Sequence, residues 1–84
     1  MDRATVTGLI AKTLAPYLGA TTAEASTRAH CEKLGINGQS MSDAQLQALL
    51  GKLGGGLAVF VGREKATGVV EEIRRTVGAV GEPR

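Results

Sequence analysis

Apolar residues recur at three- and four-residue steps through most of the chain, the period of an α-helix. Val6, Leu9, Ile10, Leu14, Tyr17 and Leu18 set out a first helix over about 4–18. Pro16 has no amide hydrogen to give and disfavours helical angles at Ala15, so a kink or restart is expected near Leu14. Gly19 is the expected stop. Thr21-Thr22-Ala23-Glu24 has the spacing of a capping box, in which the threonine hydroxyl and the glutamate satisfy each other's backbone donors. It predicts a second helix over about 22–34. Gly35-Ile36 then suits a Schellman ending, with Gly35 left-handed and Ile36 folded back against Cys31.

The clearest local signal is Met41-Ser42-Asp43-Ala44-Gln45-Leu46. Ser42 and Gln45 form a capping box, and Met41 and Leu46 a hydrophobic staple. Leu46, Leu49, Leu50, Leu53, Leu57, Phe60 and Val61 keep one helical phase across Gly54-Gly55-Gly56, which predicts a third helix over 42–61. Three helical glycines cost about 2–3 kcal/mol relative to alanine, yet a break would reset the phase. Ala66, Val69, Val70, Ile73, Val77 and Val80 mark a fourth amphipathic stripe, read as a helix over 63–77 with a frayed tail over 78–84. Four stripes on short connections describe one all-α domain over 1–84, a small four-helix bundle or orthogonal four-helix domain. No repeat, linker or low-complexity block stands out. The alanine-rich second helix is expected at the centre, because small side chains allow close approach.

Composition narrows the picture. The aromatic residues are Tyr17 and Phe60 alone, so the core is aliphatic and the domain modestly stabilised, which makes a homodimer through the third or fourth helix a natural supplement. The net charge of +2 is spread along the chain and points to no polyanion partner. Cys31 is the single cysteine; it allows no internal disulfide and suits a reducing, cytoplasmic setting. The longest apolar run, Leu57-Ala58-Val59-Phe60-Val61, is too short to cross a bilayer, so no membrane association is expected.

Chemistry-bearing residues are few. His30 and Cys31 are neighbours on a helix and diverge by about 100°, so they cannot share a metal; neither a metal nor a cofactor is expected. Gly54-Gly55-Gly56 and Gly62 to Gly68 lack the Gly-Lys-Ser/Thr ending of a phosphate loop, and no catalytic residues are assigned. Ala29-His30-Cys31-Glu32-Lys33 resembles part of the pattern of histidine phosphotransfer domains, four-helix bundles in which a lysine follows the phosphorylated histidine by three. That resemblance implies His30 as phosphate carrier and Lys33 as the neighbouring cation. The four-residue spacing of Ala15 and Gly19 also suits a helix-turn-helix, but only Arg28, His30 and Lys33 would face nucleic acid.

The remaining reading is a non-enzymatic protein-protein interaction or adaptor module in bacterial-type signalling or assembly, docking to a protein partner or to itself. The expected face is Leu49, Leu53, Leu57, Phe60, Val69, Val70, Ile73 and Val77, because the last two helices carry more apolar stripe than one small core can bury. Histidine phosphotransfer is the alternative, and nucleic-acid binding the second.

Overall fold

The computed structural model describes the backbone of residues 2–81 and the side chains of residues 2–79. Four helices follow in order: α1 (Arg3–Leu18), α2 (Ala20–Lys33), α3 (Asp43–Val61) and α4 (Arg63–Gly81). The expected all-α four-helix domain is what forms. Among the described residues the one extended feature is an isolated bridge between Asp2 and Ser40. Beside it the Arg3 amide donates to the Gln39 carbonyl at 2.8 Å. These contacts fasten the start of α1 to the connection between α2 and α3.

Helix ends show how local chemistry sets the boundaries. Asp2 caps α1, accepting from the Thr5 amide at 2.9 Å and the Thr5 hydroxyl at 2.8 Å. Those donors hold the Asp2 carboxyl below its ordinary range. Ser42 and Gln45 form the expected reciprocal box at α3, with bonds of 2.9 and 3.1 Å, and Met41 and Leu46 are both buried. The α2 ending is a Schellman motif: the Ile36 amide reaches the Cys31 carbonyl at 2.9 Å and the Gly35 amide reaches Glu32 at 3.2 Å, with Gly35 at φ 71°.

Four expectations need correction. Helix α1 continues through Pro16 to Leu18; proline so near the end forfeits a single bond, to the Lys12 carbonyl. Helix α2 begins at Ala20 with Gly19 as its cap and no side-chain capping bond, so the Thr21–Glu24 box does not form. Residues 78–81 are helical, while residues 82–84 of the expected tail lie outside the described residues. Helix α3, not α2, supplies the centre: it buries Leu46, Leu49, Leu50, Leu53 and Leu57, whereas α2 buries only Ala23, Thr27 and Cys31. Alanines lie close to a neighbour but carry too little surface to organise a core.

The helix α3 is unbroken at Gly54-Gly55-Gly56. A Cβ on Gly54 would sit 3.1 Å from Val70 Cγ2, while Gly55 and Gly56 face open space. Gly54 therefore marks where α4 crosses closest.

A repeat also emerges that the letters alone do not advertise. Leu14-Ala15-Pro16-Tyr17-Leu18-Gly19-Ala20-Thr21-Thr22-Ala23 and Leu57-Ala58-Val59-Phe60-Val61-Gly62-Arg63-Glu64-Lys65-Ala66 share leucine, alanine, an aromatic, an aliphatic, glycine and alanine at a shift of 43 positions. In both, one glycine joins two helices, at φ 88°, ψ 148° for Gly19 and φ 91°, ψ 157° for Gly62. Both glycine amides reach back four residues, to Ala15 at 2.8 Å and to Ala58 at 2.9 Å, and both glycine carbonyls accept from the alanine four residues on. The buried residues Val6, Ile10, Leu14 and Ala23 match the buried Leu49, Leu53, Leu57 and Ala66 at the same shift. The described chain is two helix–glycine–helix hairpins that share this turn, packed together.

Candidate interaction surface

The outward side of α3 follows from its helical phase. At 100° per residue, Ala44, Ala48, Gly51, Gly55 and Val59 fall within a strip about 80° wide, opposite the buried leucines, and all five are exposed. Val59 is 84% exposed and Phe60, beyond the last core leucine, is 70% exposed. The strip borders a groove of about 650 Å³ between α3 and α4, floored by Leu50, Gly54, Ala58 and Ala66 and rimmed by Arg63, Glu71 and Arg74. Helix α3 also has the length and composition of a membrane-crossing segment, with mean hydropathy 1.3 over an 18-residue window of which 28% is buried. That property belongs to the whole helix and is hidden from a search for an unbroken apolar run.

Six of the eight residues expected to form the docking face are core instead. Leu49, Leu53, Leu57, Val69, Ile73 and Val77 are all buried, and Val70 is half-buried; their shared stripe is the seam between the two hairpins. Phe60 alone of that set is strongly exposed. Val59, missed because it sits inside an apolar cluster, is the most exposed of the large apolar side chains. Its helical phase, about 160° from Leu57's on one side and far from the core leucines, was the available signal.

The two hairpins provide an internal comparison. On α1 the positions matching Ala48, Gly51, Gly55 and Val59 are Thr5, Gly8, Lys12 and Pro16, all exposed. The first hairpin thus exposes Thr5 and Lys12 where the second exposes Ala48 and Gly55, while the exposed Lys52 edges the α3 strip. The matching groove, between α1 and α2, holds about 510 Å³ and is rimmed by Arg3, Glu24, Arg28 and Glu32 over Ala11, Thr27 and Cys31. Its charges are balanced, and Thr27 already donates to the Ala23 carbonyl at 2.8 Å.

His30 is half-buried on α2, Lys33 is exposed one turn on, and Cys31 is 3% exposed. Burial pushes the Cys31 thiol above its ordinary value, against a smaller pull from Arg3. Among the described residues no group of three His, Cys, Asp or Glu side chains converges. Helices α1 and α2 meet through Gly19 alone, without the three- or four-residue turn that sets a helix-turn-helix angle. Searches of protein-family models, curated proteins and solved structures find no match for the chain.

Proposed function

We propose that this domain is a protein-interaction module, serving signalling or assembly, which docks through the outer face of α3. The observation that carries this reading is the contrast between the hairpins: where α1 exposes Thr5, Lys12 and Pro16, α3 exposes Ala48, Gly55 and Val59. Both versions fold, so the fold does not require alanine and glycine at positions 48 and 55. Val59, exposed at the end of such a face, is a cost in water that a partner removes. Helix-on-helix contact suits the strip, because glycine and alanine let another backbone approach closely while offering little apolar area of their own. No catalytic residue is assigned.

A photo-crosslinking amino acid placed at Val59, with Lys12 on the outer face of α1 as control, tests the reading in cells producing the protein. A discrete adduct from position 59 and none from position 12 is the expected result. Equal labelling at both positions, or none at either, would remove α3 as the docking face.

A further inference from the structure

We infer that the α3–α4 groove receives an acidic amphipathic helix of another protein, with a large apolar side chain seated between Gly51, Gly54, Gly55 and Ala58; this rests on the docking reading above and names the chemistry of its partner. Those four residues all line the groove. Their spacing, i, i+3, i+4 and i+7, is that of the hole on one helix that receives a knob from another. Walls of three glycines and one alanine leave room for a leucine-sized knob. Leu50, Ala66 and the half-buried Val70 back the hole with apolar surface, while a Cβ on Gly51 or Gly55 would meet nothing within the chain. On α1 the same positions are Gly8, Ala11, Lys12 and Ala15, so a lysine stands where Gly55 leaves space.

Charge decides what kind of helix fits. Among the described residues lining the groove, the charged ones are Arg63, Arg74 and Glu71. By helical phase Arg63 and Arg74 lie within about 40° of Val70, which meets Gly54, whereas Glu71 is turned about 100° from it. On the other side the exposed Lys52 edges the α3 strip. Three cations and one acid thus border this groove, in contrast with the balanced charges around the α1–α2 groove. Glutamates on the flanks of a partner helix complement that border and steer its approach. Arg63 and Arg74 stand about 17 Å apart along α4, with Val70 between them, so the partner's acids fall on either side of its seated side chain. A second copy would bring its own Arg63, Arg74 and Lys52 to the face and repel. A flat anionic lipid surface matches the charge but offers no side chain to a concave hole.

Amide NMR spectra of the intact chain, titrated with two synthetic helical peptides of about 20 residues, test this. Both peptides carry leucine at three- and four-residue steps along one face; one has glutamate on the flanks and the other lysine. The glutamate peptide should shift the amide signals of Gly51, Gly54, Gly55 and Ala58, and the lysine peptide should bind about tenfold more weakly or not at all. Gly55→Leu fills the hole from within the chain at a position that faces open space, so it should keep or raise the melting temperature while weakening the glutamate peptide about tenfold or more. Arg63→Glu combined with Arg74→Glu should reverse the preference between the peptides. No shift from either peptide at millimolar concentration, equal binding of both, or indifference to Gly55→Leu would each overturn the acidic helix. So would glycine signals that move with protein concentration alone, which give the groove to a second copy, or with anionic phospholipid vesicles and not with peptide. Failure of the acidic helix beside a discrete position-59 crosslink to another protein leaves the docking reading standing; with no crosslink, both fall.

Discussion

At the scale of single residues, the glycines separate into three physical classes with opposite mutational signs. Gly19 and Gly62 combine a positive φ with an extended ψ, a region almost closed to any residue with a Cβ, so Gly19→Ala and Gly62→Ala should each destabilise by about 1–3 kcal/mol. Gly35, at φ 71°, occupies the ordinary left-handed region, where alanine costs about 1–2 kcal/mol. Gly55 and Gly56 lie in a regular helix facing open space, and alanine there should stabilise by up to about 1 kcal/mol each. Thermal melts of the five variants should fall in that order; a melting temperature raised by Gly62→Ala would contradict the hairpin geometry. Cys31 gives a different kind of expectation. Its thiol titrates above the ordinary value because it is buried, so the stability gained by keeping it neutral is present below the ordinary thiol value and is lost as pH rises through the folded one. Alkylation at pH 8 should track global unfolding across a denaturant series. Rapid modification of the native protein would show that the groove above Cys31 opens by itself.

Individual helices were legible to the extent that one local signal decided them. Ser42 and Gln45 fix the start of α3 because serine and glutamine at that spacing satisfy each other's donors, and Ser42→Ala should cost about 1 kcal/mol, read as a shift in denaturation midpoint. The start of α1 depends on an ionised Asp2. Its carboxyl titrates below the ordinary value, so the cap is complete above that range and is lost as pH falls through the folded value; amide protection factors at Thr5 and Val6 should fall in acid before those of the core. Thr21 and Glu24 have the letters of a box, but Gly19 turns the chain within one residue, and the helix has already begun when Thr21 is reached. Apolar spacing likewise says which residues share a face and not how far the core extends along it. Leu57 and Phe60 belong to one sequence stripe, yet the core ends at Leu57 and leaves Phe60 in water. The docking face was misplaced for that reason: burial is decided by the other hairpin.

Across the whole molecule, the two hairpins bury one aliphatic cluster within a radius of gyration of 11.8 Å, close to the roughly 12 Å of a compact chain this long. Similarity between the hairpins is concentrated in the glycine turn and the buried positions of α1 and α3 that lead into it, while buried Ile73 and Cys31 match His30 and Arg74, so periodicity read within each helix passes over it. That repeat makes the order of the hairpins along the chain a matter of wiring. Residues 34–42 join the end of one hairpin to the start of the next, and α4 packs against α1 across the hairpins as α2 packs against α3. A circular permutant that opens the chain between Asn37 and Gly38 and ties α4 to α1 with a linker of similar length should therefore reach the same helical content and melt cooperatively. Circular dichroism of that permutant measures it directly, and a chain left unfolded would mean that the bridge between Asp2 and Ser40, rather than the paired hairpins, holds the two halves in place.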